Sequence, residues 1–215
     1  MFKTAGLATA TFFLLCAAAA GQDGGHFDVS LGAAGLLTKQ TTGNGIQQTA
    51  TKSGAFLGSV RVRFNAKHSI IGNYARGNDS QLFTTPNVFR IQSNVTELSG
   101  AYVFNPIETK RLEPFIFAGG GVLVFNPFTS FVNTVQVAVP SVRQTEVAFL
   151  YGAGVDYRIF DKVPMIRGSG AAPHLALRFQ YRGLFYKAPD FQNPDLFTGS
   201  RTHLAEAAVG LVIKF

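Results

Sequence analysis

The stretch EVAFLYGAGVDYRI occupies residues 146–159. Val147, Phe149, Tyr151, Ala153, Val155, Tyr157 and Ile159 share one parity, and Glu146, Ala148, Leu150, Gly152, Gly154, Asp156 and Arg158 share the other. Successive side chains of a β-strand point to opposite faces. The stretch is therefore a strand with one apolar face and a second face that mixes charges with very small residues.

The same alternation recurs along the chain. Phe27, Val29, Leu31 and Ala33 oppose Asp28, Ser30, Gly32 and Ala34, while Phe56, Gly58, Val60, Val62 and Phe64 oppose Leu57, Ser59, Arg61 and Arg63. Leu175, Leu177, Phe179 and Tyr181 oppose Ala176, Arg178, Gln180 and Arg182. At the end of the sequence Ala207, Val209, Leu211, Ile213 and Phe215 oppose Glu206, Ala208, Gly210, Val212 and Lys214. The pattern predicts eight strands, near 25–37, 53–65, 67–77, 87–104, 112–125, 143–160, 173–187 and 201–215. After residue 20 no segment keeps a helical period for three turns. Two strands are less regular. The 112–125 segment is apolar or Gly on both faces. In 87–104, Arg90, Gln92 and Asn94 share parity with Leu98, Gly100, Tyr102 and Phe104. A bulge near Thr96-Glu97 that turns Glu97 to the polar side accounts for this, and so does a long strand whose upper half stands in water.

The first twenty residues read differently. Lys3 precedes an apolar run from Leu7 to Cys16, and Ala18-Ala19-Ala20 supplies small residues at a cleavage point. This is the order of a secretory signal peptide, and the run is shorter than the roughly 20 residues of a spanning helix. Residues 1–20 are expected to be a cleaved signal peptide, and 21–215 one domain. The only Cys, Cys16, falls in the leader, so no disulfide and no thiolate metal site is expected. Charged residues make up 14% of the chain against 47% apolar. The charged share is well below the roughly 25% of soluble domains, which disfavours an ordinary cytosolic enzyme. The connections at 38–52, 78–86, 126–142 and 188–200 are long and polar. Those at 65–67 and 105–111 are short, and 161–172 is longer than that rule.

Taken as one surface, the polar faces carry Asp28, Glu97, Glu146, Asp156 and Glu206 against Arg61, Arg63, Arg158, Arg178, Arg182 and Lys214. Long charged side chains interleaved with Gly, Ala and Ser are what the inside of a narrow barrel needs. An exported chain with no apolar helix spans lipid only as a closed barrel. The sequence therefore reads as all-β, an eight-stranded antiparallel up-and-down transmembrane β-barrel with long loops at one end. Glu113-Pro114-Phe115-Ile116-Phe117-Ala118-Gly119-Gly120-Gly121 resembles the Pro-aromatic strand of small outer-membrane barrels of the OmpA/opacity-protein type. Tyr151-Gly152-Ala153-Gly154-Val155-Asp156-Tyr157-Arg158 and Leu177-Arg178-Phe179-Gln180-Tyr181-Arg182 resemble the family's following strands, and 205–215 its closing one. The resemblance implies a barrel of the bacterial outer membrane, and carries no specific activity. Val209, Leu211, Ile213 and Phe215 are similar to the terminal signal read by the outer-membrane barrel assembly machinery. No C-terminal peptidoglycan-binding domain is visible.

Eight strands leave a lumen that side chains just fill, so the charged set is expected to be packing, with a narrow solute path as the other reading. The histidines (His26, His68, His174 and His203) are scattered, and His68 and Ser69 are neighbours that point to opposite faces of a strand. No enzyme, metal or cofactor is expected. Phe83, Phe128, Phe131, Phe191 and Phe197 lie in otherwise polar loops, where they either join the interfacial aromatic girdle or pack loop on loop, or else form a rim that takes up a hydrophobic solute or contacts another surface. Phe64, Phe104, Phe125, Tyr157, Phe185 and Phe215 are placed in interfacial belts. Lys39, Lys52, Arg76, Arg143, Lys187 and Arg201 at the loop end are expected to meet outer-membrane lipids and lipopolysaccharide. No basic stripe for nucleic acid is present, and a monomer is expected. The functional expectation is envelope structure or surface interaction through the loops. The alternative is a narrow channel or a barrel for uptake of small or hydrophobic solutes.

Overall fold

The computed structural model describes residues 27–85, 87–107, 109–133, 135–137, 140–160 and 173–215. The expected signal peptide and the 161–172 connection lie outside these residues. Eight long strands form the wall: β1 (Phe27–Thr38), β2 (Ser53–Arg63), β3 (His68–Thr84), β4 (Val88–Phe104), β5 (Leu112–Val132), β6 (Gln144–Phe160), β7 (His174–Lys187) and β8 (Arg201–Lys214). Each pairs antiparallel with its neighbours in sequence, and β1 pairs with β8 from Asp28–Lys214 to Thr38–Leu204. The sheet closes on itself and leaves no edge along the wall.

The parity read from sequence sets which side chains enter the lumen. Asp28, Ser30, Arg61, Asp156, Arg178, Arg182, Glu206 and Lys214 are all buried. Leu31, Phe64, Ile116, Phe149, Phe179 and Leu211 on the opposite parity are exposed. An outward band of Leu, Ile, Val and Phe around a closed barrel is a lipid-facing surface. Phe27 stacks on Phe215 with centroids 4.4 Å apart, and the Phe215 amide donates to the Phe27 carbonyl. Val209 and Leu211 face outward on the same strand.

Strand length is uneven. β1, β2, β7 and β8 have 11 to 14 residues, while β3, β4 and β6 have 17 and β5 has 21. A 17-residue strand tilted by about 45° rises about 40 Å, more than the roughly 30 Å of a bilayer core. The segment 78–86, expected as a loop, is therefore mostly strand: β3 runs to Thr84 and pairs with β4 as far as Val88. Its residues are polar because this part of the sheet stands above the apolar belt. The same cause explains the apparent phase change in β4. Odd-numbered residues from Ile91 to Val103 face inward without interruption, Glu97 among them. The irregularity lies instead on β5, where pairing steps from Gln92–Thr129 to Ser93–Pro127 and leaves Phe128 as the extra residue.

Two short strands guard the projecting flap. Ile46–Ala50 pairs with the upper part of β3, and Val135–Gln136 pairs with the upper part of β5. The first of these turns back on Thr41–Gly43 through Asn44-Gly45, both at positive φ (51° and 75°), as a two-residue primed hairpin turn requires.

β5 is apolar on both faces because its inward face is aromatic. Phe115 and Phe117 pair across from Gly154 and Gly152 of β6, and both rings lie over these glycines. A Cβ on Gly154 would stand 2.5 Å from Phe115 Cζ and 2.7 Å from the Phe179 carbonyl oxygen. Gly154→Ala should therefore destabilise the folded barrel by about 1–3 kcal/mol, the usual cost of overpacking. Urea unfolding of the detergent-folded protein measures this, and an unchanged midpoint would contradict the packing described.

Candidate functional site

The lumen is built in layers. Nearest the short-turn end, Asp28, Glu113 and Asp156 face Arg61, Arg63, Arg158, Arg178 and Lys214. Arg61 pairs with Asp28 on the adjoining strand (2.5 Å) and with Asp156 on β6 (2.7 Å), four staves away and so on the opposite wall. Asp156 is also held by Arg178 (2.7 Å) and Lys214 (2.8 Å). Glu113 gathers Arg63 (2.8 Å), Arg158 (3.3 Å) and Lys214 (2.5 Å). Two guanidinium groups lie over the Phe115 ring, whose centroid is 5.3 Å from Arg61 Cζ and 5.1 Å from Arg178 Cζ. This cation–π contact brings apolar volume into the layer while the ring face attracts both guanidinium groups.

One level up, Ser30 and Ser59 share a hydrogen bond, Asn73 Nδ2 donates to Ser99 Oγ (3.2 Å), and Ser99 Oγ donates to Glu97 (2.5 Å). Arg182 pairs with Glu97 from across the lumen and with Glu206 on the adjoining strand (2.9 Å). Of the charges read from sequence, Glu146 stands apart. It faces inward, but at the loop end of β6, where it accepts from Gln144 Nε2 (2.6 Å) and has no ion pair among the described residues.

Above Arg182 the filling turns apolar. Phe83, Ile91, Leu123, Leu150, Phe191 and Leu196 form one cluster and are fully buried. Phe191 and Leu196 come from the β7–β8 connection, which folds back into the mouth. Phe191 meets Phe83 and Phe125 edge-on, with centroids 6.2 and 6.5 Å away, and Phe125 stacks on Tyr186. Phe125 therefore belongs to the lumen and not to the exterior belt. It shares parity with Phe115 and Phe117. The Phe residues expected as a loop set also divide: Phe83 and Phe191 are buried, whereas Phe128 and Phe197 are exposed.

Two glutamines pin the returning loop. Gln144 Oε1 accepts from the amides of Asp190 (3.0 Å) and Phe191 (2.6 Å), and Gln48 Nε2 donates to the Pro189 carbonyl (3.0 Å). Phe191 and Gln192 adopt φ of 54° and 59°, a region that side chains resist. Burial of the Phe191 ring and the two amide bonds hold that strained turn in place.

No protein-family model matches the sequence, and no curated protein matches it. Among solved structures, the chain is similar to the outer membrane protein OprG of Pseudomonas aeruginosa, at 13% identity over 89% of this chain and 96% of that one, with a TM-score of 0.56. It is also similar to Neisserial surface protein A, at 14% identity over 88% and 97% of the two chains, with a TM-score of 0.49. For Ail, the attachment invasion locus protein of Yersinia pestis, identity is 14% over 89% and 99%, with a TM-score of 0.48. The fold is that of a small outer-membrane β-barrel. At such identities the likeness is one of fold, and the apolar belt independently places the chain in a membrane.

Sequence reading missed several residues of this outer-membrane-type lumen. Glu113 is the main omission, although it is a centre of the lowest layer. Its signal was present, since it opens the Pro-aromatic stretch on the same parity as Phe115 and Phe117. Asn73, Ser99, Gln48, Gln81 and Gln144 carry no charge, and only their inward parity marks them.

A further polar chain crosses the lobe above the belt. Gln48 Nε2 also donates to Gln81 Oε1 (3.1 Å), and Gln81 Nε2 donates to Asp79 Oδ2 (2.6 Å). Burial pushes the Asp79 carboxyl up to about 6, and hydrogen bonds from the Ser80 backbone and Gln81 offset only part of that.

Arg182→Met leaves Glu97 and Glu206 without their shared cation and should cost about 3–5 kcal/mol in urea unfolding, because an uncompensated buried charge remains. Adding Glu97→Gln and Glu206→Gln to that variant should recover part of the loss. For Asp79 the folded state binds its proton more tightly than the unfolded chain. Its stabilising contribution is therefore complete below about pH 4 and is lost as pH rises through about 6. Amide-exchange protection of the 46–50 and 79–83 segments should fall across that window, and Asp79→Asn should flatten the dependence.

Proposed function

We propose that this protein is a non-conducting barrel of the bacterial outer membrane whose working part is the lobe at its loop end, presented outward for surface interaction. In this reading the charged lumen holds the wall closed and carries nothing through it. One observation supports it above the others: the lumen is filled at successive levels by side chains that solvent does not reach. Arg61 and Arg182 are 1% and 0% exposed, and Phe83 and Phe191 are 0% exposed above them. A path for ions would have to cross both a paired-charge layer and an apolar plug. Charged side chains that reach across to the far wall occupy the axis a solute would use.

The lobe supports the reading from its side. A pinned loop, a guarded flap and a primed hairpin are costly structures to build above a membrane if the barrel only needs to be sealed. The short 64–67 and 105–111 connections at the end that holds Phe27 and Phe215, with the lobe at the other, support the usual orientation in which long loops face outward.

Planar-bilayer recording tests the proposal. The refolded barrel should show no steady conductance at low voltage. Phe191→Ala should lower stability by about 3–5 kcal/mol and still leave the barrel closed, since the Arg61 and Arg182 layers remain. A steady current through the unaltered protein would overturn the reading in favour of a channel.

A further inference from the structure

The outer wall carries a cleft of about 470 Å³ where β1 leaves the apolar belt beside β7 and β8, lined among others by Lys39, Thr41, Phe185, Arg201 and His203. Lys39 and Arg201 are both exposed. Among the described residues neither side chain has a carboxylate within ion-pair distance. Lys187, which pairs with Arg201 across the β7–β8 ladder, differs from both. Its Nζ lies 3.7 Å from Asp190 and 5.1 Å from the centre of the Phe197 ring. The cleft therefore gathers two cations with no acid of their own among the described residues, a setting that favours an anion.

The cleft is held in shape. The Lys39 amide donates to the His203 carbonyl (2.8 Å), Thr202 Oγ1 donates to the Lys39 carbonyl (2.7 Å), and Ser200 Oγ donates to the Thr42 carbonyl (2.9 Å). These bonds strap the segment that bears Lys39 onto β8. On its other side Phe185 packs against His203 (centroids 4.6 Å apart) and Tyr151 (5.7 Å), and the Tyr151 hydroxyl is 3.0 Å from His203 Nε2. When Tyr151 donates this bond, the imidazole proton sits on Nδ1.

What lies beneath the cations separates a lipid from a free ion. Below the cleft the wall presents exposed Leu37 on β1 and, one step further down, the outward-facing pair Gly35 and Ala207. Cations above and an apolar wall below match a molecule with an anionic head and hydrocarbon chains. We propose that this cleft holds the phosphorylated headgroup of an anionic lipid of the leaflet at the loop end, its phosphate between Lys39 and Arg201 and its chains on the wall beneath. The inference rests on the barrel's standing in a bilayer and is independent of what the lobe contacts.

Native mass spectrometry of the detergent-folded full chain tests this. The probes are a bisphosphorylated glycolipid (lipid A), phosphatidylcholine and inorganic phosphate. The unaltered protein should take up the glycolipid, should not retain phosphatidylcholine, and should not release the glycolipid to inorganic phosphate at equal concentration. The double variant Lys39→Gln/Arg201→Gln should bind the glycolipid about tenfold or more weakly, the scale of losing charge-assisted hydrogen bonds. Lys67→Gln/Lys110→Gln removes the same charge at the short-turn end and should bind as the unaltered protein does. Faster migration of unboiled samples on SDS gels shows that each variant is folded. Equal affinity in the first double variant, or an equal loss in the second, would overturn the site. Displacement by inorganic phosphate at equal concentration would overturn the lipid assignment.

Discussion

Arg61 holds two walls of the barrel at once. Its guanidinium meets Asp28 on the neighbouring strand and Asp156 on the strand opposite, and both acids are further shared with Arg178. A cylinder of eight strands is too narrow for water to solvate such groups and too wide for small side chains to fill. Long cations that cross it satisfy both demands. The rest follows from that constraint: acids must sit where these cations end, aromatic rings must occupy the remaining volume, and glycines must stand where the rings lie. Phe115 illustrates the dependence, since two guanidinium groups lie over its ring and Gly154 leaves the room its tip occupies.

Much of this was legible from parity alone. Within the membrane one face of each strand must be apolar, so the alternation assigns Asp28, Arg61, Asp156 and Arg178 to the interior without any knowledge of register. The reading weakened wherever the environment outside the wall changed from lipid to water. Asn78, Asp79, Ser80 and Gln81 resemble a loop in composition, yet they continue β3, because a ladder above the bilayer has no need of an apolar outer face. It also weakened where both faces are apolar. Phe125 has the composition of a belt residue, and its burial against Tyr186 shows only in its parity with Phe115. Nothing local marks Phe191 as buried. Its place depends on a loop folding back over a mouth whose shape several strands define together.

The layers also differ in kind. Near the short turns the filling is ionic, and each acid is shared among several cations. Near the loops it is apolar, with isolated amides pinning the backbone of the returning segment. An ionic layer tolerates little displacement, because a shifted charge loses several partners together. An apolar plug under a pinned loop can loosen locally, and its amides then find water. The two ends of one lumen are therefore built for different degrees of motion.

The uneven strand lengths make the rim a slope. β3, β4 and β5 climb well past the short sides formed by β1, β2, β7 and β8. Anything approaching along the membrane normal meets the tall flap first and reaches the low side only after passing it. The low side is where the Lys39–Arg201 cleft opens, close to the lipid surface. The protein thus has a preferred direction in the plane of the membrane, which an eight-fold cylinder by itself would lack.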